Sequence, residues 1–154
     1  MRKLILLAVT LLWLTSCGVY HDANLENISL TSKEKSFIAA FEDAAVKHKV
    51  RALKSMLHPI YIDQELNEMY GGNARLLFNE FFCGKDVNTK KFYCLKLRNV
   101  REIHLVKVSK GEEKGEKRLL FKVVGYDHTI LVELYMKTYS KNGQARIGII
   151  GAFG

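Results

Sequence analysis

The stretch RLLFKVVGYDHTILVELYMKTYSKNGQARIGII, Arg118 to Ile150, alternates apolar and polar residues with a period of two. Successive side chains of a strand point to opposite faces. Leu119, Phe121 and Val123 therefore share one side, as do Ile130, Val132, Leu134 and Met136, and then Ala145, Ile147 and Ile149. The pattern predicts strands over 117–126, 129–139 and 145–152, joined by a tight turn from Gly125 to His128 and by Asn142-Gly143. Asn-Gly between alternating runs is a strong hairpin signal. Two further runs, 91–97 and 100–108, read the same way, giving an antiparallel meander of about five strands.

Upstream the period is helical. Thr31-Ser32-Lys33-Glu34 has the form of a capping box, in which the threonine satisfies backbone donors and the glutamate reaches back. Phe37, Ile38, Phe41 and Ala45 follow at helical spacing, and Val50, Leu53 and Leu57 continue an offset stripe. With no Gly or Pro between them, the two stripes read as one bent helix ending at His58-Pro59. A second helix is expected from near Asp63 to Gly71-Gly72. A third, capped by Asn73, would carry Leu77, Phe78, Phe81 and Phe82 and end at Gly84. Helices first and an antiparallel meander afterwards make an α+β fold, with the helices on one sheet face.

This order resembles the nuclear-transport-factor-2-like superfamily. The residues that carry the resemblance are Phe37 to Ala45, Leu53 to Pro59 and the meander to the C-terminus. The resemblance implies a strongly curved, cone-shaped (cystatin-like) sheet with helices in its concavity. Inward residues Phe121, Val123, Val132, Leu134, Met136 and Ile147 would then line a pocket. Enzymes of that superfamily place a carboxylate, His or Tyr inside the cone, where burial tunes its pKa. The lining here is apolar, and no catalytic residue is assigned. Leu131, Tyr135 and Tyr139 fall on the opposite face among Lys122, Lys137 and Arg146. Tyr and Arg are enriched at interfaces, so these three are candidate interface residues for an envelope protein partner or a homodimer.

The first residues speak to location. Met1-Arg2-Lys3 precedes an apolar run, Leu4 to Leu14, too short to cross a bilayer. A basic start and a short apolar core mark a secretory signal peptide. Leu14-Thr15-Ser16-Cys17 resembles the bacterial lipobox, which implies diacylglycerol on Cys17 and cleavage before it. The expected division is a signal peptide over 1–16, a lipidated N-terminus and tether over 17–29, and a single domain over 30–154. By the same resemblance Gly18, standing where Asp would retain the protein at the inner membrane, favours the outer membrane of a Gram-negative bacterium. An ordinary secretory signal with a chance cysteine is the plainer alternative.

The net charge of +8 falls to +6 when residues 1–16 take Arg2 and Lys3 with them. An exported basic protein meets anionic headgroups and envelope polymers sooner than nucleic acid, so no nucleic-acid partner is expected. Cys83 and Cys94, eleven residues apart, suit a structural disulfide in an oxidising compartment, with two separate buried thiols as the alternative. The five histidines show no metal spacing, and no phosphate loop, dinucleotide fingerprint or nucleophile elbow appears. Neither a metal nor a cofactor is expected. His58 reads as a helix end, His104 as a surface or half-buried strand residue, and Asp127-His128 as turn chemistry. The leading expectation is a membrane-anchored, non-enzymatic binding module of the cell envelope. A carrier for a small apolar ligand, or a hydrolase or isomerase working in the cone, is the alternative.

Overall fold

A computed structural model describes residues 28–153. The segments expected to be a signal peptide and lipobox with Cys17, and nearly all of the expected tether, lie outside the described residues. The domain is α+β, with helices packed on one face of an antiparallel sheet of six strands.

Helix α1 (Ser32–Val46) opens with the capping box in full: the Glu34 N–H donates to Thr31 Oγ1 at 3.2 Å, and the Thr31 N–H to Glu34 Oε2 at 2.8 Å. The expected bent helix is two. His48 adopts φ +54° and breaks the chain between α1 and α2 (Val50–Ser55), a conformation uncommon for non-glycine residues but enriched in His. Here Nε2 of His48 bonds the Val100 carbonyl oxygen at 3.0 Å. Pro59 opens the next helix instead of merely closing the previous one. Its missing N–H suits a first helical position, and α3 (Pro59–Tyr61) runs on into a π-helical segment, Ile62–Met69. Asn73 caps α4 (Ala74–Phe81), accepting from the N–H groups of Arg75 and Leu76.

Helix α4 stops at Phe81, three residues before the expected Gly84. Phe82–Asp86 is a strand, β1, paired with β2 (Phe92–Leu95), and this hairpin is why the sheet exceeds the expected five strands. Phe82 lies opposite Leu95 and is wholly buried, so Phe82 serves the core from a strand while Phe78 and Phe81 serve it from the helix. The expected meander follows as β3 (Glu102–Lys110), β4 (Glu116–Val124), β5 (Thr129–Lys141) and β6 (Gln144–Phe153), each antiparallel to the next. Strand β5 pairs with β4 along one edge; along the other it pairs with β1 at Ile130 and Leu131 and with β6 from Glu133 onward. The β5–β6 turn places Asn142 at φ +53° and Gly143 at +73°, as a type I′ turn requires.

Two bulges modify the parity. An extra residue in β3, Val106, turns Val108 into the core rather than leaving it beside His104. Opposite Tyr135 and Met136, Ile150 is the extra residue of β6; bulges re-aim side chains in this way.

Candidate functional site

Of the six expected pocket residues, Phe121, Val123, Val132, Leu134 and Met136 are at most 2 % exposed and lie in one continuous core. The Phe41 ring from α1 sits 5.7 Å from that of Phe121 and 6.4 Å from those of Phe81 and Phe82. These rings occupy the space between helices and sheet. Ile147 is half-buried and borders a surface cleft with Phe37, Met56, Tyr139 and Arg146.

Cys83 and Cys94 are register partners in β1 and β2 and form the disulfide. Past it, the hairpin turn is built on Asp86. That carboxylate, 2 % exposed, accepts from the Thr89 N–H at 2.7 Å, the Asn88 N–H at 3.0 Å and the Thr89 hydroxyl at 3.0 Å. It also meets His128 Nδ1 at 3.1 Å, and the His128 ring stacks on Tyr93 at 3.7 Å. The Thr89 N–H, together with His128, outweighs burial and holds the Asp86 carboxyl down to about 2. A buried acid orienting an imidazole is half of a hydrolytic triad, yet Asp86 spends most of its acceptors on its own turn. The arrangement fastens the β1–β2 turn to the β4–β5 turn. Sequence reading placed His128 in a turn but missed its partner, which lies 42 residues away.

His58 stands at the start of a helix, where the sequence suggested an end. Its Nδ1 accepts from the Ile60 N–H at 3.2 Å, its ring meets Tyr139 edge-on at 4.5 Å, and it is 7 % exposed. Burial, reinforced by the Lys137 charge, pushes its pKa below the usual value, so it is no helix-end cation. Its backbone hugs the outer edge of β6: the His58 N–H donates to the Ile149 carbonyl at 2.8 Å, and the Ile149 N–H to that of Met56 at 2.9 Å. Tyr139, a candidate interface residue, is thus half-covered from within the chain.

The other two, Leu131 and Tyr135, lie half-buried on the sheet face opposite the core. Register places His104, Lys122, Leu131, Lys85 and Phe92 in a transverse row across β3, β4, β5, β1 and β2. Leu131 is flanked by two lysines, and Phe92 at the end of the row is 59 % exposed. Further along the same face, Arg118 holds Glu133 through two short hydrogen bonds from Nε and Nη2, each 2.5 Å. Beyond them the β3–β4 turn walls off a cleft lined by glutamates.

Among the described residues, no group of three or more His, Cys, Asp or Glu is placed to hold a metal ion, and no helix is long and apolar enough to cross a membrane. No protein-family model matches the chain, and no curated protein or solved structure matches it.

Proposed function

We propose that the chain is a lipoprotein of the cell envelope, anchored through lipid on Cys17 to the outer membrane of a Gram-negative bacterium. Its domain is a non-enzymatic module that binds another envelope component through the sheet face carrying Leu131 and Tyr135. The observation that carries this reading is the transverse row of His104, Lys122, Leu131, Lys85 and Phe92, a basic and apolar strip spanning five strands on the face turned away from the core. The filled space around Phe41 and Phe121 favours a binding module over a carrier with an internal pocket. Helices over one face of a meander also support a nuclear-transport-factor-2-like domain.

Two measurements test the reading. Cells making the full chain should incorporate labelled palmitate into the wild type and none into Cys17→Ala; equal labelling removes the anchor. A photo-cross-linking residue at Leu131 should give a discrete adduct in cells, while one at exposed Lys54 on α2 should not. Identical patterns at both positions, or none at either, would dismiss the sheet face as the interface.

A further inference from the structure

A cleft of about 280 Å³ between α4 and the segment joining β2 to β3 collects positive charge with nothing to oppose it. Arg75 and Asn79 form one wall, four residues apart on α4 and hence on one helix face. Lys96 and Arg98 form the other, from the short helical turn Leu97–Asn99 and the residue before it. Val50 and Leu97 supply the apolar part of the lining. Among the described residues no carboxylate borders the cleft. Nor do the side chains of Arg75, Lys96 and Arg98 make a hydrogen bond or an ion pair among those residues. The contrast stands close by in sequence to Val50: Lys47 and Lys49, in the α1–α2 turn, share Asp43.

The backbone under these cations is fastened. Leu97 is buried, the Asn99 N–H donates to the Lys96 carbonyl at 2.8 Å, and the Val100 N–H to that of Leu97 at 3.1 Å. His48, which also borders the cleft, ties the α1–α2 junction to the same segment through the Val100 carbonyl. On the far wall Asn73 caps the helix that carries Arg75. Like charges held around a shared concavity repel until an anion enters, and a cleft of one sign focuses its field. Asn79 is an independent sign of an occupant. It is half-buried, yet its side-chain amide makes no hydrogen bond among the described residues. Since no fully occluded side-chain nitrogen or oxygen there lacks a partner, the amide stays within reach of a ligand and adds a neutral donor beside the charges.

We propose that this cleft binds a phosphate monoester. Arg75, Lys96 and Arg98 meet its oxygens, Asn79 donates a further hydrogen bond, and the carbon part of the ligand lies on Val50 and Leu97. A phosphate monoester brings nearly two charges and three acceptor oxygens, which guanidinium forks match bidentately. A carboxylate fits less well, because its single charge and two oxygens satisfy one fork and leave the other cations opposed. The cavity also has room for carbon atoms beside the phosphate. The phosphate would come from a lipid headgroup or from a soluble phosphorylated metabolite. The cleft belongs to the helix layer, away from the Leu131 face, so the inference goes beyond the proposed binding face and does not rest on it.

The test is a methyl-NMR titration of the full chain in non-ionic detergent micelles, following Val50 and Leu97. One arm uses α-glycerophosphate and the other dihexanoyl phosphatidic acid. A saturable shift with α-glycerophosphate identifies a site for soluble phosphate monoesters, and one with the lipid alone identifies a headgroup site; either supports the proposal. Arg98→Gln should weaken binding by about ten- to a hundredfold while leaving the core isoleucine signals of Ile103 and Ile130 in place. Arg75→Gln, on the opposite wall, should act in the same sense and decides the matter if Arg98→Gln disturbs its turn. Lys110→Gln, equally exposed at the far end of β3, should leave the affinity unchanged. Equal weakening by Lys110→Gln would mean attraction to basic surface in general and overturn the site. No saturable shift in either arm, or unchanged affinity in both arginine variants, would overturn it as well.

Discussion

Replacing Cys83 and Cys94 together by alanine isolates the contribution of the cross-link. Cys94 is exposed and Cys83 half-buried, so the shortened side chains open no core cavity. Their bond closes a loop with a sequence separation of 11. On the chain-entropy model such a loop removes about 9 cal/mol/K from the unfolded ensemble, which stabilises the native state by about 2.8 kcal/mol at 25 °C. With an unfolding entropy of about 2.1 cal/mol/K per residue over a domain of this length, that loss lowers Tm by roughly 10 °C. Thermal melts followed by circular dichroism of the full chain, wild type against Cys83→Ala/Cys94→Ala, measure it directly. Reductant should lower the wild-type Tm by the same amount and leave the variant unmoved. A shift below about 3 °C would refute the entropic argument and mean that the β1–β2 ladder and the Asp86 turn already restrict the unfolded chain. A reductant effect on the variant would show that the melt reports something other than this bond.

Phe121→Ala empties a site that Phe41 cannot fill from 5.7 Å away and should cost about 3–5 kcal/mol by denaturant melt; a change near zero would place Phe121 outside the core. At Gly148 an added Cβ would stand 2.8 Å from His58 Cα and 2.9 Å from its nitrogen. Gly148→Ala should therefore destabilise by about 1–3 kcal/mol and speed amide exchange at His58 and Ile149, whereas unchanged exchange would show that the close approach is not rigid. Asp86 and Glu34 both have folded pKa values below their unfolded ones, Asp86 at about 2; for Glu34 burial acts upward, but the Lys117 ammonium and Thr31 prevail. Such groups bind fewer protons folded than unfolded, so their stabilisation is complete above the unfolded values near 4 and lost as pH falls toward 2. Asp86→Asn should flatten that acid limb in Tm against pH, and an unchanged slope would count against the Asp86 turn. Depressed His58 acts in the same sense at higher pH, its stabilisation present above about 6.5 and fading below; a His58→Ala profile as steep as the wild type between pH 7 and 5 would remove it as the source.

Strand β5 was legible because one face is core and the other is not: Ile130, Val132, Leu134 and Met136 are all buried, their neighbours half-exposed. Local caps were legible for a similar reason, since Thr31, Asn73 and Asn142-Gly143 act on backbone within a few residues. Strand β1 was hidden, because Phe78, Phe81 and Phe82 satisfy helical spacing and only pairing of Phe82 with Leu95 reveals the switch. The break at His48 depends on a bond to Val100, 52 residues on. Nothing local singles out Asp86, because its tie to His128 spans 42 residues. The acidic cleft was equally invisible, since Glu116 falls on an outward position of β4 and is buried only by the turn folding back over it.

The Lys117 ammonium gathers Ser29 O at 3.2 Å and Glu34 Oε2 at 2.8 Å, and the same glutamate oxygen holds the Thr31 N–H. Ile28 adds a backbone bond to Val108 in β3. A pull applied to the chain ahead of Ile28 is therefore not delivered to α1 alone. It passes through one cation into β4, an interior strand paired on both sides, and spreads as shear over two ladders instead of peeling a helix end. The knot around Lys117 works as a strain relief where the chain enters the domain. Lys117→Met would move the first mechanical event in a single-molecule stretching trace to lower force, with α1 coming away before the sheet yields.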